Sequence, residues 1–345
     1  MDDGKRDVGR RVTSFDVAER AGVSQSTVSR ALAGSPQITP QTRARVTAVA
    51  QELGYLVDHR ASRLRTGRTD TIAVVILGRP EDATRSANPF YFELLGSICE
   101  AASQRGLEVL VSLQSEEGEF FGDYVGRGQA DGVIVVGSAR NTRAWTHFRE
   151  LQEASPRVVF WGSPFDDAGW VRSDNFAGGR LAVRHLLEHG YRRIAFVGPL
   201  EERLGQFQER FDGYAAELAA HKMEPVFLPS YDALDRYAQG SGAAAALMER
   251  DPRIDAVFAA SDQLAFGVLE YLQSHGIAVP DEIGLVGFDG MAAGTICSPA
   301  LTTVAPDLRK AAAMLLDAMD GTAGPSSERV PVELIERASV RARKA

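Results

Sequence analysis

Apolar positions recur along this chain with two different periods. From residue 12 to 54 they fall three and four apart, and from residue 71 short unbroken apolar runs alternate with stretches of helical period. In VTSFDVAERAGVSQSTVSRAL (12–32) the first pattern predicts two short helices joined by a tight turn. Phe15, Ala18 and Ala21 mark the inner face of the first helix, and Val28, Ala31 and Leu32 that of the second. Thr13 and Asp16 have the spacing of a capping pair. Gly22 supplies the left-handed turn that stops the first helix, and Ser24 caps the second. The second helix turns Gln25, Ser26, Ser29 and Arg30 outward, a face of donors and acceptors with little to bury. After a loop at 33–37, Thr39 and Pro40 open a third helix as cap and first-turn proline. Its stripe is Val46, Val49, Ala50 and Leu53, and Gly54 ends it.

The second pattern predicts strands at 71–77, 107–113, 132–136, 157–161, 194–198, near 226–228, at 256–260 and at 283–288. Helices are predicted at 90–105, 119–128, 142–153, 175–189, 206–221, 240–250 and 262–275. Continuous apolar strands alternating with helices argue for parallel sheets covered on both faces. The strands are too many for one sheet, and the break after Trp161, with Gly162, Pro164 and Gly169, suggests two α/β subdomains.

Composition narrows the class. A chain of 345 residues that is 44% hydrophobic and 24% charged is a globular protein of two or three domains. No apolar run has membrane-spanning length, and MDDGKRDVGRR at the start lacks the apolar core of a signal peptide, so the cytoplasm is the expected compartment. Cys99 and Cys297 stand far apart with no CxxC, which reads as two free thiols. Charge is unevenly spread. Residues 1–69 hold 12 Lys and Arg against 7 Asp and Glu, a balance of +5; the remainder holds 26 against 39, a balance of −13. A basic head with a patterned polar helix suits phosphate, and the acidic body does not.

Between the head and the first strand, residues 55–69 carry four arginines and a single apolar residue, Leu64, in their second half. This is either a basic linker or a short helix capped by Asp58 that folds on DNA, with Leu64 placed to wedge between base steps in the minor groove.

VTSFDVAERAGVSQSTVSRAL, then TPQTRARVTAVAQELGY, then ASRLRTGRT before a strand, resembles the LacI family of bacterial transcriptional regulators. The likeness runs without a gap through the head and continues into the body. It implies a small all-α helix-turn-helix domain followed by an α/β effector domain of two doubly wound subdomains, like a periplasmic sugar-binding protein. Gln25, Ser26 and Arg30 would then face base edges in the major groove, Arg30 reading a guanine or holding a phosphate. Thr13, Ser24, Thr27 and Thr39 would bond phosphates and fix register. Leu64 matches the family's minor-groove lever and Ala61 the small residue packed against its twin. Val57 and Asp58 stand where the family usually has proline and asparagine.

The implied organisation is a disordered segment at 1–11, a helix-turn-helix domain at 12–56, a hinge at 57–69 and an effector-binding and dimerisation domain at 70–345. Three chain crossings are expected near 162–163, 289–291 and 320–323. They divide the body into one subdomain of 70–161 with 291–320 and another of 163–289 with 331–340. Ligands bind such sheets at the carboxyl ends of their strands, so the cleft between subdomains is the expected site. By resemblance Arg210, in ERFDGY, grips the ligand, Asp289, in VGFDG, is its acidic contact, and Ser261 sits at another strand end. Asn88, Phe90 and Tyr91 build one wall, Trp161 ends its strand at the crossing, and Tyr231 stands as an aromatic lid. Aromatic faces beside Arg and Asp suit a sugar, whose apolar face stacks while its hydroxyls bond. Asp174-Asn175 reads as a helix cap.

Other motifs carry less. His185-Leu-Leu-Glu188-His189 has the HxxEH spacing of a zinc site, but HLLEHGY is also how this family ends the helix. GRGQADG (126–132) has the wrong glycine spacing for a dinucleotide fingerprint and precedes a strand. With no GxSxG elbow and no Walker loop, neither an enzyme nor a cofactor or metal is indicated. The reading is a homodimeric repressor on a near-palindromic operator, most consistent with control of carbohydrate-utilisation genes by a sugar. A nucleobase or nucleoside corepressor is the alternative within that class. A nicotinamide dehydrogenase lacks its phosphate loop here, and a transport binding protein has no use for the head. No leucine heptad follows residue 320, which favours a dimer over a tetramer.

Overall fold

A computed structural model describes residues 12–55, 68–78, 88–114, 122–137, 139, 141–200, 205–228, 235–320 and 327–343. The chain separates into two compact units, 1–68 and 69–345. The expected disordered segment at 1–11, the hinge positions Val57, Asp58, Ala61 and Leu64, and Tyr231 lie outside the described residues.

Among the described residues the first unit has three helices: α1 (Ser14–Ala21), α2 (Gln25–Leu32) and α3 (Pro40–Glu52). The Thr13 N–H and hydroxyl both donate to Asp16 Oδ2, at 2.8 and 2.7 Å, which fixes the first turn of α1. Gly22, at φ 64°, closes α1 in the left-handed region. Ser24 and Thr39 cap α2 and α3, accepting from the N–H groups of Thr27 and Thr42. The core is Val17, Ala18, Ala21, Val28, Ala31, Val46 and Ala50. Phe15 is not part of its buried set and stands 66% exposed. The inward face of α1 is set by Val17, Ala18 and Ala21, and Phe15 lies about a third of a turn from its centre.

The second unit contains two six-stranded sheets built on one plan. Sheet one has β1 (Thr71–Leu77), β2 (Glu108–Gln114), β3 (Gly132–Gly137), β4 (Val158–Trp161), β5 (Trp170–Ser173) and β11 (Ser327–Val330), in the order β11-β5-β4-β3-β1-β2 and all parallel. Helices α4 (Pro89–Gln104), α5 (Thr142–Ala154) and α10 (Leu308–Met319) cover it. Sheet two has β6 (Ile194–Val197), β7 (Val226–Leu228), β8 (Ala256–Ala259), β9 (Gly284–Phe288), β10 (Thr302–Pro306) and β12 (Val332–Ile335), in the order β12-β10-β9-β8-β6-β7. Among its described strands only β12 runs antiparallel, against β10. Its helices are α6 (Asn175–Glu188), α7 (Gly205–Ala220), α8 (Arg236–Arg250) and α9 (Asp262–Ser274). Central strands such as β1 and β3 are buried along their whole length because helices cover both faces.

The crossings fall elsewhere than the resemblance implied. β5 at 170–173 belongs to sheet one and β10 at 302–306 to sheet two, so the chain crosses at 173–175, 306–308 and 330–332. The expected helix at 119–128 is, over its described part, a set of turns: Gly126 donates to Asp123 Oδ1 and Gly128 sits at φ 62°. The crossings locate the cleft. α6 and α10 each leave the carboxyl end of a strand of one sheet and run back antiparallel to the strands of the other. β12 starts at the carboxyl end of antiparallel β10. All three crossings therefore join carboxyl ends of strands, and the space between the sheets opens there. Among the described residues no helix is long and apolar enough to cross a membrane.

Candidate functional sites: the helix-turn-helix face and the cleft between the sheets

On the helix-turn-helix unit, Thr13, Ser24, Gln25, Ser26, Arg30 and Thr39 are exposed and Thr27 half-buried. The hydroxyl of Ser24 lies 2.9 Å from that of Ser26 and 2.8 Å from that of Thr27, a cluster of donors at the start of α2. Gln25 Nε2 donates to Ser14 Oγ at 3.0 Å, which ties the first residue of α2 to the first of α1. Arg43 closes the following loop on the carbonyls of Gly34 and Ser35. The outward face of α2 thus offers hydroxyls, an amide and a guanidinium on a small rigid support. Those groups match base edges and phosphate oxygens.

In the second unit the strand ends supply the polar groups. Asp289 directly follows β9 and Ser261 follows β8, while Trp161 closes β4 of the other sheet. Arg210, from the second turn of α7, is 5% exposed. Its Nε donates to Asn175 Oδ1 at 2.9 Å, its Nη1 donates to the carbonyl of Ala260 and lies 3.4 Å from Asp289 Oδ1. The guanidinium stacks 3.5 Å from the ring centroid of Phe288, with Phe207 at 5.3 Å. Among the described residues Arg210 Nη2 and Asp289 Oδ2 have no hydrogen-bond partner in the protein. These two atoms are a donor and an acceptor on neighbouring side chains.

Desolvation dominates this pair. Burial pushes the Asp289 carboxyl up to about 6 against the pull of Arg210, and burial likewise lowers Arg210. Both shifts run toward the neutral forms, so at 3.4 Å the mutual attraction does not repay the loss of water. Asp262 lies behind Asp289. Burial, reinforced by the Asp289 charge, pushes it up to about 8. It accepts from the Thr303 hydroxyl at 2.6 Å and the Met291 N–H at 2.7 Å, which fixes the loop after Asp289.

The first sheet supplies the facing wall. Phe90 is buried, with ring centroids 6.1 Å from Trp161 and 6.0 Å from Tyr91. Asn88 caps α4 by accepting from the Phe90 N–H at 3.1 Å, and Ser261 caps α9 by accepting from Leu264. Glu93 of α4 accepts from the Ala292 N–H at 3.1 Å across the cleft, near enough for its charge to act on Asp289. Gln206 donates to the Gly162 carbonyl at 2.8 Å, also across. Sequence reasoning missed Asn175 as the partner of Arg210, together with Phe207, Phe288, Asp262, Arg236 and Glu93. Phe288 was the accessible one, since it directly precedes the aspartate at a strand end. Arg236 stands 4.7 Å over the Phe207 ring and acts on Asp289, which no local spacing signals.

A profile of bacterial regulatory proteins of the lacI family matches residues 15–58, and one of a periplasmic binding protein-like domain matches 183–340. The chain is 35% identical to the HTH-type transcriptional regulator CelR of Thermobifida fusca over 324 residues, 90% of this chain and 93% of CelR. It is 31% identical to the HTH-type transcriptional repressor CytR of Escherichia coli (strain K12) over 342 residues, 96% of each. The solved complex of the regulator CelR with cellobiose superposes with a TM-score of 0.65 at 30% identity, covering 95% of this chain and all of that one. A helix-turn-helix unit with a polar reading face, a two-sheet body with a polar cleft, and relatives matched along almost their whole length together show that this chain belongs to the LacI family of bacterial transcriptional regulators.

Proposed function

We propose that this regulator is a cytoplasmic repressor of carbohydrate-utilisation genes, that it binds a near-palindromic operator as a homodimer, and that a small sugar in the cleft controls its grip on DNA. The observation that carries the sugar is the pair of unengaged atoms, Arg210 Nη2 and Asp289 Oδ2, near the half-buried ring of Phe207. Vicinal hydroxyls donate to a carboxylate and accept from a guanidinium at once, while the apolar face of a pyranose stacks on an aromatic ring. The CelR complex, in which a related body holds cellobiose, supports the same class. Two chains would pair through their bodies: Val111 and Leu113 on edge strand β2, Phe92 on α4 and Ile296 after β9 are exposed apolar side chains. Sedimentation of the full chain at micromolar concentration should give twice the chain mass, and a tetramer or monomer would refute the pairing. The sugar would act by binding one cleft geometry better than another, shifting the population that holds DNA.

A thermal-shift panel of cellobiose, glucose, ribose, cytidine and adenosine tests the ligand. Stabilisation by one or more sugars, lost in Arg210→Ala with operator affinity kept within about threefold, supports the proposal. A shift with the nucleosides alone would sink the sugar assignment, and a loss of operator binding in Arg210→Ala would make the arginine structural.

A further inference from the structure

Glu209 precedes Arg210 on α7, and its arginine partners belong to the other sheet. Arg329 Nη1 and Nη2 donate to its two carboxylate oxygens at 2.9 Å each, and Arg172 Nη1 donates to Oε1 at 3.2 Å. Arg172 on β5 and Arg329 on β11 are register partners on adjacent strands at one edge of sheet one. Arg172 is 1% exposed, stacks 3.5 Å over Trp170 and gives its Nη2 to Asp166 at 2.7 Å. A single carboxylate on a helix of the second subdomain is thus closed upon by two paired arginines of the first.

The same carboxylate also faces the cleft arginine. Asn175, fully buried and first in α6 after the crossing from β5, donates its Nδ2 to Glu209 Oε2 at 3.0 Å and accepts from Arg210 Nε at 2.9 Å. With an acceptor-only carboxylate on one side and a donor-only guanidinium on the other, only one orientation of the amide satisfies both. Charged hydrogen bonds therefore run without a gap from Arg172 and Arg329, through Glu209 and Asn175, to Arg210. Arg172, Asn175 and Arg210 are its buried members, and there each geometry depends on the next, because a lost partner strands a buried polar group or charge.

We propose that Glu209 is a positioning residue for effector recognition, which holds Asn175 and through it Arg210 in register with the edge of the first sheet, so that the cleft arginine and the seating of one subdomain on the other are set together. That Arg210 grips the effector is the reading made above and this inference rests on it; the continuity of the network does not. A brace that merely pins the subdomains would stabilise the protein without linking Arg329 to Arg210, which do not touch.

The test is a triple-mutant cycle on the full-length protein, read by thermal unfolding without ligand. Arg329 is partly exposed, so Arg329→Met is tolerable, and Arg210→Lys keeps the cleft cation. The double variant should depart from the sum of the two single shifts in Tm by about 2–4 °C. In a Glu209→Gln background that departure should vanish. Additive shifts in the wild-type background, or the same departure with Glu209 replaced, would overturn the proposal. If Glu209→Gln does not fold, Glu209→Asp keeps the charge for the arginine pair, shortens the reach to Asn175 and replaces it in the cycle. No effector enters the measurement, so a wrong ligand class leaves its outcome readable.

Discussion

Asp289 is held at φ 120°, a conformation costly for a residue with a Cβ, and Gly290 follows it at 73°. That turn brings the carboxylate off the end of β9 into a buried position beside Arg210, and the two facts have one measurable consequence. The unfolded chain ionises Asp289 near 4, whereas burial holds it protonated up to about 6. A group whose folded pKa is raised contributes stability that is fully present below about 4 and is lost as pH rises through about 6. Two pH units of difference correspond to roughly 3 kcal/mol. In Asp289→Asn the unfolding free energy should fall less steeply between pH 4 and 6 than in the wild type. Asp262, pushed up to about 8 in the same way, continues to titrate in both proteins, so the comparison is between slopes. Urea unfolding at pH 4.5, 5.5 and 6.5 gives those slopes, and equal ones would show that Asp289 does not carry the proton.

The helices of the second subdomain approach each other more closely than side chains allow, and glycine makes this possible. A Cβ on Gly179 of α6 would stand 2.2 Å from the carbonyl oxygen of Arg210, and one on Gly213 of α7 would stand 2.1 Å from that of Phe176. The pair is reciprocal, so α6 and α7 touch backbone to backbone where Asn175 meets Arg210. Gly179→Ala must therefore push α7 away at the residue that faces the cleft. Overpacking of this kind costs about 1–3 kcal/mol, a fall in Tm of roughly 2–10 °C, and the Asn175–Arg210 bond should weaken with it. Differential scanning calorimetry reads the first effect, and an unshifted Tm would mean that the helices slide apart freely. None of this was visible in the glycine itself, which sits in a plausible helix. Elements with long apolar or amphipathic patterns were legible: β1, β3, the three short head helices, and α6 through α9 within a few residues. β5 (WVRS) and β10 (TTVAP) were not, because their polar residues are buried against partners distant in sequence, and neither was β11 (SERV), a four-residue edge strand whose three polar residues are exposed. Arg172 is matched by Glu209, Thr303 by Asp262, and Thr302 receives the Arg337 N–H. Missing those strands moved all three crossings. In the cleft, Arg210 and Asp289 were legible through family spacing and strand-end position. Asn175 and Phe207 were not, since their roles depend on which helix the crossing lays beside α7.

At the scale of the whole molecule, two kinds of electrostatics serve two ligands. The first 69 residues carry a balance of +5 and the rest −13, so DNA is attracted by one part of the chain and repelled by the remainder. Operator binding of this kind proceeds by release of counterions from phosphates, and a protein making six to ten phosphate contacts loses about 10³–10⁵ in affinity between 50 and 200 mM salt. Within that total, Arg30→Ala should weaken the specific complex by roughly 1–3 kcal/mol if the guanidinium reads a guanine, with little change in salt slope, whereas loss of a phosphate contact would lower the slope by about one. The cleft obeys different rules. Arg210 and Asp289 are buried, their side chains 6% and 7% exposed, and mobile ions screen a buried pair far less than a surface one. Effector affinity should accordingly change by less than about threefold over the same salt range. Anisotropy of a labelled operator and calorimetric titration of the stabilising sugar, both run from 50 to 200 mM KCl on one preparation, measure the two slopes together. A flat operator slope would remove phosphate from the account of the head. A steep effector slope would mean that the ligand is itself an anion, held by Arg210 and Arg236 as charges, and the neutral sugar would have to give way to a sugar phosphate or another acid.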